Sequence, residues 1–192
     1  MSSGAHSGHR SRRVMAFSTK KMKFLVTGAS GFIGYEVSRQ LSLGGYRPRL
    51  MIRQAGDDCD ICHFDADFVI ADLRKPISLK QAVKGVDGII HLAARATFDS
   101  YAILKPSILE GSVSLMQAGI EAGVKHFVYS SSLLVYSGSP FPVDAETPVN
   151  PVLDYGRIKV DTERQLSKMA ASAGLSFAAL RLPHVYGLRD LY

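Results

Sequence analysis

No run of apolar residues in this sequence reaches the length of a membrane span, so no membrane partner is expected. Acidic residues are missing from positions 1–23, which carry Arg10, Arg12, Arg13, Lys20, Lys21 and Lys23. The whole chain has 23 Lys and Arg against 17 Asp and Glu, a net charge of +6. Those 6 residues account for all of the excess, and the rest of the chain balances 17 against 17. Nothing basic is therefore left over for a folded binding face, and a nucleic-acid partner is excluded. The tail is rich in Ser, Gly, His and Arg and is expected to be a disordered basic segment over residues 1–21. It lacks the apolar centre of a secretory signal, which points to a cytoplasmic location. Its arginines and serines also fit an organelle transit peptide, and an extension of no functional consequence ahead of Met22 is the plainer alternative.

Cysteine is scarce. Cys59 and Cys62 are the two, and with His63 they spell CxxCH, the haem c attachment pattern. Covalent haem attachment needs export, and no export signal is seen. A metal site would need a fourth ligand, and Asp60 and Asp65 are too local to supply one. A reduced pair in a loop between two strands is expected, with no metal. A repeat at fixed period is also lacking.

Glycine, by contrast, is concentrated where it matters. Phe24 to Thr27 has strand composition, three glycines follow at Gly28, Gly31 and Gly34, and Val37 and Leu41 then fall at helical spacing. Gly28 lets the chain turn sharply off the strand. Gly31, without a Cβ, lets a pyrophosphate come close to the backbone. Gly34 lets the helix pack close to the sheet. The helix start then offers N–H groups and a positive dipole end to phosphate. The spacing is GxxGxxG, one residue longer than the dinucleotide fingerprint, and a glycine turn with no ligand is the alternative reading.

Strands and helices alternate from there on. Gly44 and Gly45 end the first helix, and Tyr46 to Arg53 is the second strand. Phe68 to Leu73 is the third strand, Pro76 to Val83 a helix, and Gly88 to Ala94 a nearly continuous apolar fourth strand ending in small residues. His91 on that strand is read as packed. A helix over about Ser107 to Ala122, a fifth strand from His126 to Ser130, a helix from Pro151 to Ala173 and a sixth strand from Ser176 to Leu182 complete the pattern. Such alternation predicts a doubly wound parallel α/β sheet of order 3-2-1-4-5-6 with helices on both faces, over residues 22–192. No Asp or Glu occurs between Glu36 and Asp57, where an acid would meet the ribose of NAD. Arg53 stands there instead. Its forked donors suit a 2′-phosphate, with a solvated strand-end arginine as the alternative.

The chemistry sits further on. Tyr155 and Lys159 are four residues apart on a helix and share one face. A nearby ammonium favours the phenolate, so Tyr155 is expected to have a lowered pKa and to exchange a proton near neutral pH. The fifth strand runs into Ser130, Ser131 and Ser132, and a hydroxyl there can hold a substrate oxygen in register.

Together these motifs resemble the extended short-chain dehydrogenase/reductase family, which contains sugar-nucleotide epimerases and dehydratases, 3β-hydroxysteroid dehydrogenases and dihydroflavonol-type reductases. The resemblance covers about residues 22–190. It rests on Thr27 to Gly34, Asp72-Leu73, His91 to Ala94, Ser130 to Ser132, Tyr155 to Lys159 and Arg181 to Gly187. It implies a Rossmann domain and an NAD(P)-dependent oxidoreductase or epimerase that moves hydride at a secondary alcohol or carbonyl. By the resemblance Tyr155 is the acid/base, Lys159 holds the nicotinamide ribose and tunes Tyr155, and Ser132 orients the substrate. The implied cofactor contacts are Gly28, Ser30, Gly31, Phe32, Ile33, Gly34, Arg53, Asp72, Leu73, Leu92, Ala93, Ala94, Tyr155, Lys159, Pro183 and Val185. The expected cofactor is NADP, with NAD as the alternative. The expected partners are a small-molecule substrate, nucleotide sugars among the candidates, and a second copy of the chain in a homodimer.

Three departures qualify the resemblance. Ile108 stands where the family has an Asn. Leu133 and Leu134 follow Ser132 where dehydratases carry an acidic pair. The family continues well past Tyr192 into a smaller substrate domain, so most of the substrate half is expected to be absent. A binding module or fragment without turnover is the alternative function. Arg53 leans towards a reductase, while Asp144 to Tyr155 resembles the sugar-nucleotide branch, and the two stay open here.

Overall fold

The computed structural model describes residues 21–57 and 60–187. Residues 1–20 of the basic tail and Cys59 lie outside the described residues, while Lys21 is described and donates to the Gly44 and Gly45 carbonyls. Within them, six strands form one parallel sheet of order β3-β2-β1-β4-β5-β6. These are β1 (Phe24–Thr27), β2 (Arg49–Ile52), β3 (Asp67–Ile70), β4 (Gly88–His91), β5 (His126–Ser132) and β6 (Ser176–Leu182). The helices are α1 (Phe32–Leu43), α2 (Pro76–Val83), α3 (Tyr101–Lys105), α4 (Gly111–Glu121) and α5 (Asp154–Ala173). A π-helical turn, Pro106–Glu110, joins α3 to α4, and a 3₁₀ turn, Leu133–Tyr136, follows β5.

The period-2 alternation of strand side chains makes the three layers. Leu25 and its register partners Ile89 and Phe127 face α2, α4 and α5, where Leu79, Leu115 and Leu166 meet them. Val26, one residue on, faces the other way and packs with Leu50 and Ile52 under Val37 and Leu41 of α1. Burial of this kind, at about 25 cal/mol per Å² of apolar surface, is what drives the layers together. On the α1 face, residues paired beside Leu50, Ile52 and Ser130 are Phe68, Ile70 and Leu180. Ile70 and Leu180 are about half exposed, because α1 covers only the middle of that face.

Several boundaries differ from the sequence reading, each for a local reason. The helix expected from Ser107 begins at Tyr101 and runs through Pro106. Proline has no N–H to close the bond one turn back, and the helix widens into a π turn there instead of stopping. β4 ends at His91, so Leu92 to Ala94 form its outgoing loop. β5 runs two residues further than expected because Ser131 and Ser132 pair with Arg181 and Leu182 of β6. α5 starts at Asp154, not Pro151, and β2 is limited to four residues. At its far end α5 stops at Gly174, which takes the left-handed conformation at φ 63°.

Candidate cofactor and catalytic site

The glycine turn is set by backbone crowding. Gly28 has φ 69°, and a Cβ there would come within 2.8 Å of the Ala93 nitrogen. A Cβ on Gly34 would lie 1.9 Å from the Gly28 carbonyl oxygen. The helix therefore packs close against the turn itself, a refinement of the expected helix-to-sheet contact. Gly31 differs. It is exposed, its φ is ordinary, and a Cβ there would meet one protein atom, the Gly28 oxygen at 3.2 Å. Packing of the protein makes only a mild demand for glycine at that position. Gly31 is also the N-cap of α1, with no side-chain cap and no acid in the first turn. The open N-terminal groups beside Ser30, Phe32 and Ile33 suit an anion.

Beneath the turn runs a buried chain of polar groups. Thr27 Oγ1 lies 2.7 Å from His91 Nδ1, His91 Nε2 lies 2.8 Å from Ser112 Oγ, and Ser112 Oγ donates to the Ile108 carbonyl. With its proton given to Ile108, Ser112 accepts from Nε2–H, and Nδ1 then accepts from Thr27. Thr27 Oγ1 also accepts from the Ala93 N–H at 3.2 Å. His91 is 1% exposed, and burial first, then the Lys159 charge, push it down to about 3. It is a neutral strut tying β1, β4 and the π turn together, in line with the packed reading.

At the ends of β2 and β3 the arrangement is polar. Arg53 is exposed, and among the described residues its guanidinium has no hydrogen-bond or ion-pair partner. Asp57 curls back so that Oδ2 accepts from the Arg53 and Gln54 backbone N–H groups, both at 3.2 Å. An acid thus does stand beside the end of β2, which spacing along the chain concealed. Asp72 pairs with Arg74 at 2.8 Å, whose hydrogen bonds hold its carboxyl down to about 2. The Leu73 side chain is buried in the core, and a Cβ on Gly111 would touch it at 2.8 Å.

The third group comes from α5. A Cβ on Gly156 would lie 2.4 Å from the Leu134 carbonyl oxygen, so the start of α5 sits directly on the 3₁₀ turn after β5. That contact sets Tyr155 and Lys159 beside the end of β5. Lys159 is 2% exposed, and its Nζ donates to the Ser130 carbonyl at 2.7 Å. Nζ also lies over the rings of Tyr129 and Tyr155, 4.7 and 5.5 Å from their centroids. Burial pushes Lys159 down to about 7, and Glu163 opposes this. Ser132 is half-buried at the strand end, where its Oγ accepts from the Leu134 N–H at 3.2 Å. Ser131 points the other way and donates to Glu163.

One expectation is reversed. Tyr155 does not carry a lowered pKa in this structure, because burial pushes its phenol up. Tyr155 packs against the apolar cluster of Leu104, Ile108 and Ile158, and Ile108, standing where the family has an Asn, is buried in that cluster. Two further loops complete the edge. Leu92 and Ala93 are half-buried and Ala94 exposed, while Pro183 and Val185 are exposed. Gly187 brings that last loop to Phe32, since a Cβ on it would lie 3.3 Å from the ring. Cys62 is exposed, in the loop between β2 and β3.

Sequence reasoning missed Glu163, Asp57 and Ser112. A signal for Glu163 was present, since it continues the Tyr155, Lys159 spacing by four more residues. Asp57 had no such signal, because it depends on a loop folding back.

Comparison with known proteins agrees with this geometry. Residues 24–191 match the model of the NAD dependent epimerase/dehydratase family. A UDP-glucose 4-epimerase of Lactobacillus helveticus is 29% identical over 175 residues, 86% of this chain and 52% of that protein. The chain spans about half the length of the curated relatives it matches. A Thermotoga maritima UDP-glucose 4-epimerase solved with UDP-glucose superposes with a TM-score of 0.78 at 28% identity, over 88% of this chain and 58% of that one. The Thermus thermophilus UDP-glucose 4-epimerase complexed with NAD gives 0.79 at 25% identity, over 88% and 57%. Among the described residues no helix is long and apolar enough to cross a membrane.

Proposed function

The chain belongs to the NAD dependent epimerase/dehydratase family, and from that premise we propose that it carries the cofactor half of an enzyme that moves hydride at a secondary alcohol of a nucleotide sugar. The observation that carries this reading is the placement of Tyr155 and Lys159. Both are held against the end of β5 by the contact of Gly156 with Leu134, on the carboxyl edge where open α/β sheets bind ligands. The residues present fit a dinucleotide, because Gly31 is exposed and puts no side chain over an uncapped helix start.

When bound, the nicotinamide supplies the hydride acceptor or donor. The chain's own residues do the rest. Gly28, Gly31 and the N–H groups of Phe32 and Ile33 hold the pyrophosphate, and Arg53 takes the 2′-phosphate of NADP in preference to NAD. Asp72 and the backbone of Leu73 flank the adenine, and Leu92 to Ala94 line the path to the nicotinamide. Lys159 donates to the nicotinamide ribose and to Ser130. Ser132 holds the substrate oxygen, and Tyr155 Oη moves the proton to or from it. Pro183 and Val185 close the nicotinamide side. The nucleotide-sugar class is supported by the relatives whose names carry UDP-glucose.

Calorimetric titration of the 192 residues with NADP⁺ and NAD⁺ tests the cofactor half. Binding of either is expected, and Tyr155→Phe should preserve it. In a protein of the relatives' length, Tyr155→Phe should lower turnover of a UDP-hexose by about 10²-fold or more. No detectable binding of either cofactor, or near wild-type turnover in that variant, refutes the reading.

A further inference from the structure

We propose that Arg181 is a positioning residue for this site: through Tyr136 it clamps the 3₁₀ turn after β5 and so fixes the hydroxyl of Ser132. The inference rests on the reading of Ser132 given above. The turn, Leu133–Tyr136, makes two contacts that the site depends on. The Leu134 N–H donates to Ser132 Oγ at 3.2 Å, which sets where that hydroxyl lies. The Leu134 carbonyl is the surface on which Gly156 and the start of α5 rest. A 3₁₀ turn of four residues has few bonds of its own, and those are poorly aligned, so its position is set from outside.

Two sides hold it. On the loop side, the Asn150 N–H donates to the Val135 carbonyl at 2.9 Å, and the Val152 N–H donates to Ser137 Oγ at 3.0 Å. Residues 138–150 are mostly exposed, so this hold is no stiffer than the loop that provides it. On the sheet side stands Arg181 of β6, in register with Ser131 of β5. Its Nη1 donates to the Tyr136 hydroxyl, and its guanidinium carbon lies 5.0 Å from the centre of that ring. This is the contact that ties the turn to the sheet.

Arg181 can serve as a clamp because it is fixed itself. Glu163 of α5 takes one edge of the guanidinium, with Nη2 donating to Oε2 at 2.8 Å and Nε donating to the two oxygens at 3.2 and 3.3 Å. Ser131 donates to the same carboxylate at Oε1. A planar fork held along one edge leaves Nη1 a single direction, and Tyr136 stands in it. Tyr136 is buried, and it packs with Val135 and with Val160 of α5, so its ring cannot follow a moving partner. Every link from Arg181 to Ser132 is therefore a contact. Arg181 meets Tyr136, Tyr136 and Leu134 share one turn, and Leu134 meets Ser132.

The test reads the turn directly, as the amide resonance of Leu134 in the ¹⁵N-labelled chain. A chemical shift reports folded molecules, so a loss of global stability does not move it. Ser132→Ala removes the acceptor of the Leu134 N–H, and its shift marks the unbonded end of the scale. Tyr136→Phe keeps the ring and the Arg181–Glu163 pair and removes only the hydroxyl. Its Leu134 amide should move most of the way to that mark, while the amides of Leu25 and Ile89 in the core stay in place. Arg181→Lys keeps the charge but loses the fork, so it should give the same shift. A purely structural role predicts that both variants lower Tm and leave the Leu134 resonance where it is in the wild type, and that result overturns the proposal. The second readout is turnover of a UDP-hexose in a protein of the relatives' length. Tyr136→Phe should lower kcat about tenfold and leave the KM for the cofactor unchanged, because the glycine turn is not part of the clamp. A moved Leu134 resonance with wild-type kcat overturns the positioning role. Near wild-type turnover in Tyr155→Phe refutes the reading of the site and leaves the Leu134 shifts to decide the clamp by themselves.

Discussion

A Cβ at position 34 would stand 1.9 Å from the carbonyl oxygen of Gly28. No side chain fits there without moving the first turn of α1 or the loop that Gly28 begins. The partner is backbone, so no rotamer change relieves it. Gly31, three residues earlier, meets one atom at 3.2 Å and otherwise faces outward. The two glycines therefore separate fold from binding. Gly34→Ala is expected to cost about 3 kcal/mol, lowering Tm by roughly 10 °C. Gly31→Ala should leave Tm within about 2 °C and weaken cofactor binding by about tenfold or more. Thermal melts and calorimetric titration of both variants check this, and equal losses of stability would remove the distinction.

His91 makes stability fall with acid from an unusually high pH. Its folded pKa is about 3 against 6.5 in the unfolded chain. Between those values the unfolded chain holds a proton that the buried ring refuses, so acid favours unfolding. The slope should be about 1.4 kcal/mol per pH unit over that window and vanish below it, where both states are protonated. Asp72, held down to about 2 by Arg74, adds a second loss as pH falls from about 4. Urea unfolding at steps from pH 7 to pH 4 should show the midpoint falling from about pH 6.5. A flat profile down to pH 5 would contradict the buried neutral strut.

What the sequence made visible was whatever spacing along one element determines. The alternation of elements led to the sheet order, and Gly28 and Gly34 marked the turn. The two serines added to β5 were not legible, because their pairing with Arg181 and Leu182 is a property of the neighbouring strand. Helix continuity through Pro106 was hidden for a similar reason. The apolar set of Leu104, Ile108 and Ile158 holds α3 and the π turn together against α5. The same set explains the reversed pKa of Tyr155. A lysine at i+4 spoke for a lower value, but burial against a cluster drawn partly from other elements raises it.

Gly156 should prove as important to the site as the residues beside it. A Cβ there would lie 2.4 Å from the Leu134 oxygen and 3.0 Å from Pro151 Cβ. Gly156→Ala must push the start of α5 off the 3₁₀ turn, and Tyr155 and Lys159 move with it. The expected cost is about 2 kcal/mol, since the end of α5 can shift more readily than the glycine turn. The Lys159 Nζ to Ser130 contact should loosen. Cofactor affinity should then fall even at temperatures where the variant is fully folded, which melts and titration together can show.

On the proposed reading, Arg53 decides between the two dinucleotides. Its guanidinium is exposed and has no partner among the described residues, so a phosphate need not displace an existing ion pair. The nearby carboxylate, Asp57, is turned towards the backbone N–H groups of Arg53 and Gln54. In that position it shapes the loop and leaves the arginine to meet the ligand. A 2′-phosphate should therefore gain a charge-assisted forked contact of about 1–3 kcal/mol, which is tenfold or more in affinity. NADP⁺ should bind more tightly than NAD⁺ by at least that factor, and 0.5 M salt should narrow the gap because the contact is exposed. Arg53→Ala should bring NADP⁺ down to the level of NAD⁺ and leave NAD⁺ unchanged. Asp57→Asn should raise NADP⁺ affinity modestly by removing a like charge from the phosphate's surroundings. Equal binding of the two cofactors by the wild type would assign the end of β2 to NAD, the cofactor held by the Thermus thermophilus relative.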